Sequence, residues 1–293
     1  MTKLEVKPEN HKIFVFKKIY EFDSAKQQAE KKKVNAFGLM AKLNPLKRPT
    51  EDNVLLKDSM LRYEPFWYVA STRTLNYTCD VTYNIPVHNL HAKFLSVNDP
   101  SQAESTEYPV NRKNDKAKTE IPVKEHCHRV IEYAKHFDGL KRDIKIDVFE
   151  SYIKKFEHSA VDEISFENTL QPLLTVDALT TIVRSALQNE SVAATVIESD
   201  IEQITSLHLY FRPVYAFEYV WSPADKTGVI EVDGLTGEII ENGNWFRDTF
   251  DQAFTRENLI ELSSELASSI VPGSGTAIKV ASKMVGEHHH AQK

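Results

Sequence analysis

Hydrophobic and polar positions alternate most strictly over 75–87. Leu75, Tyr77, Cys79, Val81, Tyr83, Ile85 and Val87 are apolar, and Thr74, Asn76, Thr78, Asp80, Thr82 and Asn84 lie between them. A period of two places the two sets on opposite faces of a strand. One face buried and one wet is the pattern of an antiparallel sheet rather than a parallel one. The preceding stretch 63–70, YEPFWYVA, predicts a hairpin partner joined through Ser71-Thr72-Arg73, with Pro65 at a strand start or edge. Further strands are predicted at 13–20, at 204–211 with Arg212-Pro213 as its stop, at 214–221 and at 228–233. Ile144, Ile146 and Val148 alternate as a strand, and 149–157 either extends it or begins a helix.

Helical periodicity occurs in three places. Over 123–137, Val123, Cys127, Val130, Ile131 and Ala134 share one helical face; over 177–189, Leu179, Ile182, Val183, Ala186 and Leu187 do the same. From Asp248 onward, Leu259, Leu262, Leu266 and Ile270 form a stripe, broken by Pro272-Gly273-Ser274-Gly275 before a shorter second stripe. Near the N-terminus, Ser24 and Gln27 have the spacing of a capping box at the start of a helix. The stretch 98–120 is poor in apolar residues and reads as an exposed loop.

These elements predict an α+β protein with two antiparallel-sheet domains and helical N- and C-terminal extensions. The expected divisions are an extension over 1–58, a sheet domain over 59–165, a second α+β domain over 166–247, and a helical tail over 248–293.

Composition narrows the function classes. The chain has 293 residues, 41% of them hydrophobic and 27% charged, which suits a soluble globular protein. The net charge of −6 is spread along the chain and argues against a nucleic-acid binder. Lys31-Lys32-Lys33, the densest basic run, reads as a solvated helix face. No glycine-rich phosphate loop motif occurs. Two cysteines are too few for a disulfide framework. The N-terminus, MTKLEVKPENHK, lacks the apolar run of a secretory signal, and no window is apolar enough to span a membrane. We therefore expect a cytoplasmic protein.

The stretch 215–240, YAFEYVWSPADKTGVIEVDGLTGEII, reads as two strands joined by a polar turn and ending in a tight Asp-Gly-Leu-Thr-Gly corner. Together with the upstream helix, it resembles a PepSY-type domain over roughly 170–245, whose signature is a last strand running into Asp-x-x-Thr-Gly-Glu. Asp233, Thr236, Gly237 and Glu238 occupy those positions. The sequence departs from the pattern by inserting 207–213 between helix and hairpin. The resemblance implies a helix packed on an antiparallel sheet and a non-catalytic module that binds or regulates a partner.

Candidate chemistry is sparse. His128, Glu132 and His136 would share a face of a helix over 123–137, beside His126. Imidazole and carboxylate ligate zinc, but a helix spreads i and i+8 over about 12 Å, so one ion reaches at most two of them. A solvated polar stripe is the preferred reading. Cys127 has a nucleophile reading between two histidines; its place in an apolar stripe, like that of Cys79 on its strand, favours a small core residue. The aromatic residues Trp67, Tyr68, Tyr215, Tyr219 and Trp221 are candidates for partner contact or for core. Leu259, Leu262, Leu266 and Ile270 are candidates for docking in cis, self-association or membrane contact.

The reading favoured by these observations is a non-enzymatic interaction or structural protein that needs no cofactor and binds a protein partner or itself. The alternatives are a metal-dependent enzyme using the His126/His128 region and a peripheral membrane adaptor acting through the tail.

Overall fold

The computed structural model describes residues 5–6, 8–38, 41, 48–97, 105–114, 116–142, 144, 146–162, 164 and 166–240. Among them 55% are strand and 20% helical. The expectation of an α+β protein with two antiparallel-sheet domains and helical extensions is thereby overturned: the chain is mostly β, with three α-helices among the described residues. The predicted tail helices lie outside those residues.

Three long strands account for the difference. β3 runs Val54–Val87, β6 Lys116–Asp138 and β8 Val196–Trp221. The expected hairpin turn at Ser71-Thr72-Arg73 is strand interior. Its polar residues have partners there: Ser71 Oγ donates to the Tyr133 carbonyl at 3.4 Å, and Arg73 pairs with Asp200. Arg212-Pro213 does not stop β8 either. β8 pairs in parallel with β2 (His11–Phe16) over Leu207–Phe211, then antiparallel with β9 (Lys226–Asp233) from Val214 onward. Pro213 thus falls at the junction of two partner strands, where a ladder donor can be spared.

The helix expected over 123–137 is strand β6. From Lys116 to Ala134 its exposure alternates: Ala117, Thr119, Ile121, Val123, Cys127 and Ile131 are covered, and Lys118, Lys124, His126, His128 and Val130 are exposed. The alternation is masked in the sequence because Glu125 and Arg129 also occupy covered positions, where Glu125 accepts from Tyr83 and Arg129 reaches Glu190 and the Ser191 carbonyl. The expected loop 98–120 contains β5 (Thr106–Lys113), hairpinned to β6 beside Asn114, whose φ is 56°. In contrast, the strand expected through Ile146 and Val148 is not found: Ile146–Lys155 is the helix α2. The predicted helix over 177–189 is found as α3, Val176–Gln188. The N-terminal helix is found as α1, Phe22–Glu30, but Glu21 is its N-cap and no capping-box side chain closes it.

The chain divides into two compact units. The first comprises Thr72–Glu132 and Ser185–Gln203. Its strands lie in the order β8–β3–β6–β5–β4, with β4 at Phe94–Val97. Arg73 ties this unit together, with Nε and Nη2 on Asp200 at 2.9 and 2.8 Å and Nη1 on the Leu187 carbonyl at 3.1 Å. The guanidinium so satisfies a carbonyl left open at the C-terminus of α3.

The second unit comprises the described residues of Leu4–Ser71, Tyr133–Arg184 and Ile204–Lys293. Here β8 lies between β3 and the β2/β9 side, and β7 (His158–Val161) extends the sheet beyond β2. Tyr215, Phe217, Tyr219 and Trp221 project from one pleat face of β8 against Ala25 and Ala29 of α1. Tyr210, from the other face, packs with Phe16, Phe66, Phe149 and Tyr152 beneath α2. Among the described residues, no helix is long and apolar enough to cross a membrane.

Candidate functional site

In the second unit, successive same-face positions of β3 meet those of β8. Arg62, Glu64, Phe66 and Tyr68 alternate along β3, and Arg212, Tyr210 and His208 along β8. The contacts Glu64–Arg212, Phe66–Tyr210 and Tyr68–His208 place ion, aromatic and imidazole rows side by side.

In the ion row, three guanidiniums meet four carboxylates. Glu64 lies at the centre. Arg62 reaches its Oε1 through Nε and Nη2 at 2.9 and 2.5 Å, and Arg142 Nη1 and Arg212 Nη2 each lie 2.8 Å from Oε2. Arg62 also pairs with Glu231. Asp138 accepts from Arg142 Nε, Nη2 and backbone N–H at 2.9, 2.8 and 2.7 Å. Asp233 Oδ2 accepts from Arg212 at 2.8 Å and from the Tyr152 hydroxyl of α2. Burial pushes the Glu64 carboxyl up, but Arg142, Arg62 and Arg212 outweigh it and hold it well below its ordinary range. Burial, with Asp233 beside it, raises Tyr152 and keeps it a hydrogen-bond donor. The ionic groups are closed against solvent and coordinated by one another. The row works as a latch that ties β3, β8, β9, the 138–142 turn and α2 together.

The imidazole row is built from His208 and His136, which flank Tyr68, while Phe14 packs against His158, His208 and Tyr210. Burial lowers His208 and His136, and burial together with His208 lowers His11 to about 4. His11 Nε2 is buried without a hydrogen-bond partner among the described residues. These imidazoles are held neutral.

The Asp-Gly-Leu-Thr-Gly corner forms as turn chemistry requires. Asp233 Oδ1 accepts from the backbone N–H of Leu235 at 2.7 Å and of Thr236 at 3.1 Å, and the Thr236 hydroxyl accepts from Glu238 N–H at 3.2 Å. Gly237 adopts φ 75°, in the region that favours glycine. Gly234 donates to the Pro213 carbonyl, and a Cβ there would sit 2.8 Å from that oxygen. The sequence assigned Asp233 to the turn, which it makes through Oδ1. It did not disclose that Oδ2 belongs to the ion row.

The aromatic candidates divide by burial. Trp67, Tyr215, Tyr219 and Trp221 are buried, and Tyr68 is half-buried. Trp67 Nε1 donates to the Leu174 carbonyl at 2.9 Å, and Tyr215 Oη to the Tyr20 carbonyl at 2.8 Å. They fill the core of the second unit. His126 and His128 are exposed on β6, with His128 Nδ1 2.8 Å from Asn76 Oδ1, whereas His136 is buried. Among the described residues, no group of three or more His, Cys, Asp or Glu is placed to hold a metal ion. Leu259, Leu262, Leu266 and Ile270 lie outside the described residues.

Exposed apolar surface concentrates in the first unit. Of the thirteen large apolar side chains exposed among the described residues, nine belong to it, among them Tyr83, Phe94, Val97, Val196, Ile197 and Ile201. β4, with sequence FLSV, pairs with β5 and stands at the end of the strand order. It bears no charge, and Phe94 and Val97 face solvent.

No family model, no curated protein and no solved structure matches the chain.

Proposed function

We propose that this chain is a non-enzymatic interaction protein, that the sheet of its Thr72–Glu132 unit carries the contact face, and that a second copy is the first partner to test. The observation that carries the reading is the gathering of exposed apolar side chains on that unit, nine of thirteen among the described residues. Large exposed apolar surface marks interaction sites. An uncharged strand at the end of a sheet also offers unpaired backbone groups to another chain. The PepSY-type resemblance over 170–245 belongs to the same class of reading, a non-catalytic partner-binding module. The corner at Asp233, Thr236, Gly237 and Glu238 is its support.

Light scattering on the full chain across a concentration series tests the proposal. Association that disappears in a Phe94→Lys/Val97→Lys variant of unchanged circular dichroism supports it. A chain that stays monomeric throughout, or a variant that associates as the original does, overturns the assignment to β4 and a second copy.

A further inference from the structure

We propose that Cys79 and Cys127 form a site of reversible disulfide cross-linking between β3 and β6. They are the only cysteines in the chain and are far apart in sequence. The fold nevertheless places them on neighbouring strands of the same unit. Cross-strand contacts of Asn76 with His128 and of Tyr83 with Glu125 bracket the pair, Cys79 and Cys127 share the pleat face of Tyr83 and Glu125, and Cys79 Sγ donates to the Ala193 carbonyl at 3.0 Å. Both are free and half-buried, so a small oxidant can reach them.

Neighbouring antiparallel strands hold facing Cα atoms about 4.5–5.5 Å apart, within the roughly 4.4–6.8 Å that a disulfide spans. Same-face residues that meet across such a strand pair can be joined by side-chain rotation. The cross-link would close a loop containing β4 and β5, tying the end of the apolar sheet to β3.

The oxidant is a low-molecular-weight disulfide. The thiolate of one cysteine attacks it, forming a mixed disulfide and releasing one small thiol. The second cysteine loses its proton and attacks the protein sulfur of that mixed disulfide, releasing the second small thiol. One protein disulfide forms, the small disulfide is reduced to two thiols, and the two electrons pass to it. Burial and the neighbouring Cys79 push the Cys127 thiol up, so the exchange accelerates as pH rises above neutrality.

The test is to incubate the folded full chain with oxidised glutathione, measure its intact mass, and map its peptides. The expected product has lost two hydrogens and carries a peptide pair joined at 79 and 127. Dithiothreitol reverses it. Cys79→Ser and Cys127→Ser should each stop at a single glutathione adduct. The same oxidation in denaturant should give a lower yield of the linked pair. Stable adducts on both cysteines of the folded chain, disulfides between chains, unreacted thiols, or an equal yield in denaturant would each overturn the proposal.

Discussion

Arg212 and Glu64 face each other from β8 and β3 at 2.8 Å, with side chains 3% and 0% exposed. Neither charge has water to fall back on, so each depends on its partners. Removing one member of such a set strands the others in a low-dielectric interior, at a cost of about 3–5 kcal/mol. Glu64→Gln is therefore expected to lower unfolding free energy by that order, because three guanidiniums lose their common carboxylate. Urea unfolding followed by tryptophan fluorescence measures it, and a loss within about 0.5 kcal/mol, the size of an ordinary surface substitution, would refute the latch.

The neutral imidazole row makes acid destabilising. The folded chain holds His11 near 4, whereas the unfolded chain binds a proton near the ordinary imidazole value of about 6.5. The unfolded state thus takes up the proton first as pH falls. Stability is full above about 6.5, declines as pH drops towards 4, and the loss attributable to His11 is on the order of 3 kcal/mol. His208 and His136 are lowered as well and act in the same direction. Chemical denaturation at closely spaced pH values should show this slope, and His11→Leu should flatten it. An unchanged slope in the variant would assign the acid sensitivity elsewhere.

Gly237 is required at the corner for two reasons. Its φ of 75° is strained for an L side chain, and an added Cβ would sit 2.5 Å from Tyr20 Cε2. Gly237→Ala is expected to cost roughly 1–2 kcal/mol for the backbone alone. Thermal unfolding should show the loss, and the Gln28–Tyr20 hydrogen bond should weaken as the ring moves. A melting temperature equal to that of the parent chain would show that the corner relaxes freely.

Arg73 holds two things at once, the Asp200 carboxylate and the Leu187 carbonyl at the end of α3. Lysine keeps the charge but lacks the planar fork. Arg73→Lys is therefore expected to raise amide hydrogen exchange several-fold over 185–189 and leave the first turn of α3 unaffected. Equal protection along the helix in both proteins would contradict the capping role.

Several elements were legible because their signal is local. α3 was visible from a full apolar stripe, β9 from its apolar run between turns, and the 233–238 corner from the demands of Asp and Gly in a tight turn. β6 was misread because Val123, Cys127, Val130, Ile131 and Ala134 satisfy a helical period as well as falling on a strand. The alternation that would have settled the matter is hidden by Glu125 and Arg129, whose charges are met by Tyr83 and Glu190. The turn predicted at Ser71-Thr72-Arg73 failed for a related reason: polar residues read as a break when their partners are distant in sequence. A clue to the latch was present in Arg62, Glu64 and Arg212, charged residues set at strand spacing within aromatic-rich stretches.

Local periodicity and turn chemistry can be read along the chain, because they depend on a few neighbouring residues and the stereochemistry of the backbone. That β3, β6 and β8 run uninterrupted, that Arg62 meets Glu231 and Arg212 meets Glu64, and that Cys79 and Cys127 fall on neighbouring strands came from tertiary pairing alone. In each case the deciding partner is remote along the chain. A charge becomes a core residue only once the sheet has brought its partner within bonding distance.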